Sequence, residues 1–144
     1  PMPSDTMLRF SNRLHRGLLG ISGGRLGWTT AGMPVLKLTT VGRRSGQERT
    51  VMLTTPHQEG DAIVIVASKG GDDNHPAWYL NLVENPEVKV AMKGSSARPM
   101  CARVASTGDR ERLWPLVTAA YTGYANYQEK TDREIPLVIL EPAT

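Results

Sequence analysis

A chain of 144 residues suits one domain with a single core, and 17 Lys and Arg against 14 Asp and Glu leave a formal charge of +3, too small for a protein that coats nucleic acid. Cys101 is the only cysteine, which excludes an internal disulfide framework and a zinc site built on cysteine pairs, and fits a reducing cytoplasm. No secretory leader and no apolar run of membrane-spanning length is expected.

In chain order, "SDTMLRFSNRLHRGLLG" starts at Ser4, an N-cap, and sets Met7, Phe10, Leu14 and Leu18 at helical spacing among Arg9, Arg13 and Arg16. This predicts an amphipathic basic helix that lies across a sheet or meets a membrane surface or partner. "GISGGRLGWTTAGMP" holds five glycines and reads as an irregular connector in which Trp28 packs down. Residues 1–34 are therefore read as a helix and connector, and 35–144 as the main domain. From Val35 the period turns to two or to short apolar runs. "VLKLTTVG", "RTVMLTTPH", "AIVIVAS", "EVKVAMK", "PMCARVA" and "PLVILEP" are six candidate strands. A short helix, "PAWYLNLVEN", starts at Pro76 and stops at Asn85-Pro86, and a second helical region begins in "TGDRERLWPLVTAAY" with Thr107 as N-cap and runs into "GYANYQEKTDR". The order predicts an α+β, mainly antiparallel six-stranded β-barrel with helices on its outside.

Three segments carry chemistry. In "LTTVGRRSGQERTV" a strand-turn-strand crowds Arg43, Arg44 and Arg49; Gly42 and Gly46 there allow positive φ, so the turn reads as an anion nest or as a solvated hairpin. It is neither a Walker A loop nor a Rossmann turn. "ASKGGDDNHPAWYLNL" adds Ser68, Lys69, a glycine pair and a helix N-terminus, suited to anionic groups or to plain loop punctuation. Tyr121, Tyr124 and Tyr127 recur every three residues and cluster if helical, either to stack on a flat ring or to pack as core. His15, His57 and His75 show no metal-ligand spacing, no serine elbow is present, and Cys101 reads as an inert buried thiol. An enzyme built this way borrows a cofactor.

Taken together, "LTTVGRRSGQERTVML", "IVIVASKGGDDNHPAWYLNLVENPEVKV" and "YTGYANYQEKTDREIPLVILEP", in that order, closely resemble the deazaflavin-dependent nitroreductase family of actinobacteria. These are split β-barrel proteins, related in fold to FMN-binding barrels, that bind coenzyme F420. The likeness runs from about Val35 to Pro142. It implies that Arg43, Arg44, Ser45 and Arg49 hold the coenzyme's phosphate and oligoglutamate arm. It further implies that Thr50, Val51, Met52, Leu53 and Thr54 line the floor, that Val66, Ala67, Ser68 and Lys69 edge the deazaflavin, and that Ala77, Trp78, Tyr79, Leu80 and Asn81 close on the phosphate side. Tyr124 would touch both coenzyme and substrate, and Tyr121, Tyr127 and Ser68 join it at the reacting atoms, with no metal. The implied reaction passes a hydride from reduced F420 to a quinone such as menaquinone, an enone or a nitroaromatic. Thr54 stands where some members have tyrosine, which weighs against nitroimidazole reduction. A coenzyme carrier without catalysis and a nucleic-acid-binding barrel remain the alternatives. The expected location is the cytoplasm or the cytoplasmic face of the membrane, reached through the N-terminal helix.

Overall fold

The computed structural model describes residues 29, 30 and 32–143; the predicted N-terminal helix and Trp28 lie outside the described residues. The described residues form eight strands: β1 (Thr29–Thr30), β2 (Met33–Val41), β3 (Glu48–Thr54), β4 (His57–Glu59), β5 (Ala62–Val66), β6 (Glu87–Met92), β7 (Arg98–Val104) and β8 (Leu137–Pro142). The three described helices are α1 (Ala77–Glu84), α2 (Thr107–Ala120) and α3 (Gly123–Glu129). All six expected strands form. The two additions are short, a two-residue β1 ahead of Val35 and a three-residue β4 split from the second run at Pro56.

Every pairing is antiparallel, in the order β1-β2-β6-β7-β8-β5-β4, with β3 also on β2. β3 and β4 are consecutive in the chain, yet β3 bonds β2 while β4 bonds β5 at the far end of the sheet. Residues 48–59 therefore bridge both ends and curl the sheet into a split barrel. Thr55, 1% exposed, sits at the junction. Its backbone N–H donates to the Pro34 carbonyl at 3.0 Å, and its hydroxyl lies 2.7 Å from the Val64 carbonyl and 2.9 Å from that of His57.

Strand composition follows from what covers each face. β6 and β7 alternate: Val88, Val90, Met100 and Ala102 point into the barrel, while Glu87, Lys89 and Arg103 meet solvent. By the same alternation Cys101 is exposed, correcting the buried thiol expected from its strand setting. β5 and residues 137–140 of β8 are apolar because both faces are covered there. Ile63, Ile65, Val138 and Leu140 join the barrel core, plugged by Trp78 and Leu82 of α1; Val64, Val66, Leu137 and Ile139 pack under Leu113 and Val117 of α2 and Tyr124 of α3. The N-cap of α2 is Ser106, one residue before the expected Thr107: its Oγ accepts the Asp109 N–H at 3.2 Å.

Replacing Thr55 with Val keeps the shape but removes the hydroxyl from a buried seam. Urea denaturation should show a loss of about 1–3 kcal/mol for Thr55→Val and a smaller loss for Thr55→Ser, which retains the donor.

Candidate functional site

The turn between β2 and β3 is tight because it bonds to itself. Gly42 N–H donates to the Gln47 carbonyl and Gly46 N–H to the Gly42 carbonyl, both at 2.8 Å, and Gln47 N–H meets Ser45 Oγ at 3.2 Å. Only Gly46 has positive φ (+71°); a Cβ on Gly42 would displace the Ser45 hydroxyl and stand 3.2 Å from the Gln47 carbonyl oxygen. The expected ring of free N–H donors is thus largely spent on the turn, and the arginine side chains carry its charge. Register sets their direction: Thr40 pairs Arg49, Leu38 pairs Val51 and Leu36 pairs Leu53, so Arg49 shares the inner face of the barrel with Thr40.

Asn81 of α1 ties this end together. Its Nδ2 donates to Thr40 Oγ1 at 3.2 Å, and its Oδ1 accepts both the backbone N–H and Nη1 of Arg43, at 3.2 and 3.0 Å. The amide is buried and all three contacts are internal, so Asn81 aims Arg43. Arg44, Ser45 and Arg49 are exposed. Among the described residues none of the three arginines has a carboxylate within 4 Å. The other expected residues of α1 divide by face: Trp78 is core, Tyr79 and Leu80 are half-buried, and Ala77 is exposed at the helix start.

β3 alternates as a strand must, which divides the expected floor. Val51 and Leu53 pack on the barrel core, whereas Thr50 bonds Thr39 Oγ1 at 2.9 Å, Met52 buries against Val35, and Thr54 turns toward α3. Thr54 Oγ1 lies 3.0 Å from the Tyr124 hydroxyl, and Tyr124 also reaches Met33 Sδ at 3.8 Å. Tyr121 is not helical; it is the extended C-cap of α2. The three rings still meet, Tyr121 at 5.1 Å from Tyr124 and 6.3 Å from Tyr127, with the Tyr121 and Tyr127 hydroxyls 3.4 Å apart. Burial pushes the Tyr124 phenol up, against a smaller downward pull from Thr54. The Tyr127 phenol is pushed up to about 12 by the Tyr121 hydrogen bond and then by burial. Both therefore hold their protons at neutral pH and can donate to an oxygen that gains negative charge.

The segment after β5 lies beside them. Val66 and Ala67 are buried and Ser68 is half-buried, and then Lys69, Gly70 and Gly71 take φ of +47°, +64° and +85° in succession. Lys69 pairs with Asp72 at 4.0 Å. Gly71 lies against α3 so closely that a Cβ would stand 2.8 Å from the Tyr127 carbonyl oxygen. Arg133, the last residue of the run "GYANYQEKTDR" and not among the expected site residues, donates to the Ala67, Ser68 and Asp72 carbonyls at 3.1, 2.9 and 2.8 Å. No local signal distinguishes it from its charged neighbours. Its Nη1 also meets His75 Nδ1 at 3.2 Å, so that nitrogen is the acceptor and His75 is neutral. His57 pairs with Glu59 at 3.1 Å on the surface, and among the described residues no three His, Cys, Asp or Glu side chains converge on a metal position.

The donor set fits a ligand with an anionic arm and a flat redox ring: guanidinium groups without counter-ions among the described residues at one end, and protonated phenols with a closely approached glycine loop at the other. Comparison with known proteins gives the family. The sequence model of the F420H(2)-dependent quinone reductase family matches residues 11–142. An F420H(2)-dependent quinone reductase of Mycobacterium tuberculosis is 39% identical over 140 residues, 93% of this chain and 89% of that protein. The structure of an F420-H2 dependent reductase, FDR-A, is 44% identical with a TM-score of 0.66, covering 75% of this chain and 94% of the other. A domain-swapped dimer, 37% identical with a TM-score of 0.68, covers 96% of this chain and all of its own. A Listeria innocua protein described as a pyridoxamine 5′-phosphate oxidase, 14% identical with a TM-score of 0.52 over 91% of this chain and 94% of its own, shares the fold.

Gly71→Ala forces a left-handed alanine against Tyr127. It should cost at least about 1–2 kcal/mol and change the near-ultraviolet circular dichroism of the tyrosine cluster. His75 should titrate below 6.5, because burial first and the Arg133 charge second disfavour its imidazolium. The native state then loses stability as pH falls from 6.5 toward that lowered value and is unaffected above it. Proton NMR of the imidazole should show Arg133→Gln raising this pKa only part of the way, since burial remains.

Proposed function

The chain belongs to the F420H(2)-dependent quinone reductase family and is an F420H2-dependent reductase, and on that premise we propose where it binds the coenzyme and what it reduces. Arg43, Arg44, Ser45 and Arg49 hold the phosphate and oligoglutamate arm, with Asn81 setting the angle of Arg43. Ser68 and Lys69, the exposed parts of β3 and the start of α1 border the deazaflavin and its phosphate side. When bound, the reduced coenzyme supplies a hydride to the acceptor. The chain supplies placement and protons: Tyr124, held by Thr54, lies between the two ligands, and Tyr121 and Tyr127 donate to the carbonyl oxygen of a quinone as charge builds there. Menaquinone is the proposed quinone class, enones are secondary acceptors, and Thr54 in place of a family tyrosine argues against nitroaromatics.

The observation that carries this reading is the cluster of three arginines on one turn, with no carboxylate within 4 Å among the described residues. Two other surface arginines are paired, Arg103 with Asp109 and Glu141 and Arg112 with Glu59, and exposed Arg98 has no carboxylate partner among the described residues, whereas the three at the turn sit side by side. Arg43, Arg44 and Arg49 together suit an external polyanion.

The test combines titration with oxidised F420, followed by fluorescence, with mixing of reduced F420 and a soluble menaquinone analogue, followed by coenzyme absorbance. Tight binding with acceptor-dependent oxidation is expected; binding without oxidation would leave a carrier. Arg44→Ala and Arg49→Ala should each weaken coenzyme binding about tenfold or more while the saturated rate stays within a few-fold, whereas Tyr124→Phe and Tyr127→Phe should lower the saturated rate. Unchanged affinity in both arginine variants removes the anion assignment.

A further inference from the structure

The segment 67–72 is an unusual piece of backbone. Lys69 is the only described non-glycine residue with positive φ, and it is followed by two glycines in the same left-handed region. A lysine in that region is sterically disfavoured, so contacts beyond its own backbone must hold it there. Within the segment Gly71 N–H donates to the Ser68 carbonyl at 2.9 Å and Asp72 N–H to the Lys69 carbonyl at 3.1 Å, and the Lys69 ammonium pairs with the Asp72 carboxylate at 4.0 Å.

Arg133 supplies the hold. Its guanidinium binds the carbonyls of Ala67 and Ser68 before the left-handed run and that of Asp72 after it, with the fourth contact on His75. The fork geometry matters, because a lysine ammonium on a flexible stem cannot meet carbonyls on both sides of the run in one plane. Arg133 is itself fixed from α3: its carbonyl accepts Gln128 Nε2 at 2.7 Å, and Gln128 Oε1 accepts the Ile135 N–H at 2.8 Å. The tyrosine helix and the loop after β5 are thereby joined through one side chain.

We propose that Arg133 is a positioning residue that staples residues 67–72 in the left-handed form that receives the coenzyme, without itself touching the ligand. The second half of this inference rests on the coenzyme reading above; the first half stands without it.

Arg133→Lys and Arg133→Gln test both halves. In the unliganded protein, backbone hydrogen exchange at Gly71 and Asp72 should accelerate about tenfold or more in each variant, with amides of β5 and β8 unchanged. The KM for reduced F420 should rise about tenfold while kcat at saturation stays within a few-fold, and lysine should not rescue. Should Arg133→Gln fail to fold, Arg133→Lys carries the same readouts. Unaltered exchange at Gly71 and Asp72 overturns the staple. Accelerated exchange with an unaltered KM overturns its link to the coenzyme. Wild-type protein that does not bind F420 overturns the coenzyme reading and with it that link, and exchange alone then decides the staple.

Discussion

The placement of the site depends on β5 and β8 burying both of their faces. A strand with one face in water needs only alternating apolar residues, but these two must satisfy a barrel core on one side and a helical layer on the other. Leu113 and Val117 seat α2 on that second face, and Tyr124 seats α3. From there the hydroxyl of Tyr124 reaches Thr54 on β3, the strand that starts the barrel's bridging segment. The loop leaving β5 and the loop entering β8 carry residues 67–72 and Arg133, so the proposed ligand loop and the side chain that holds it both hang from the most deeply packed pair in the sheet. Rigid support beneath mobile chemistry is what a two-ligand reaction requires.

Three uses of arginine stand out among the described residues, and the contrast sets off the cluster at the basic turn. Arg133 and Arg110 are partly buried and donate to backbone carbonyls, Arg110 to Ile135 while it also meets Gln128 and Glu134 and lies 4.4 Å from the Trp114 ring. Arg103 and Arg112 belong to an exposed network with Asp109, Glu59 and Glu141 that ties α2 to β4, β7 and β8. Arg43 is aimed by a neutral amide instead of a carboxylate, and that choice leaves its charge uncompensated. A neutral orienting group holds geometry without competing with an incoming anion.

Much of the architecture was legible in the residues. The continuous apolar runs "AIVIVAS" and "PLVILEP" differ from the alternating "EVKVAMK" because their burial differs, and Pro76 and Asn85-Pro86 bound α1 as expected. The arginine turn and the tyrosine repeat stood out by composition. Other features were not legible. Cys101 looked buried because its strand was apolar, but register turned it outward. The tyrosine spacing suggested one helix, whereas Tyr121 belongs to the end of α2 and joins the others across a break. Arg133 carried no local mark at all, because its partners lie 58 to 66 positions away in the chain.

Local chemistry, then, was written in the order of residues: which segments alternate, which glycines permit a tight turn, where positive charge accumulates. These are properties of neighbours, and neighbours are adjacent in the sequence by definition. The tertiary structure alone decided which arginines pair with carboxylates and which bond to backbone carbonyls, and how the bridging segment at Thr55 closes the barrel. It also decided that a buried asparagine on α1 would set the angle of a guanidinium on a turn 38 positions before it. Hydrogen bonds and register between distant strands are three-dimensional facts, fixed only when burial of the apolar faces has brought those strands together.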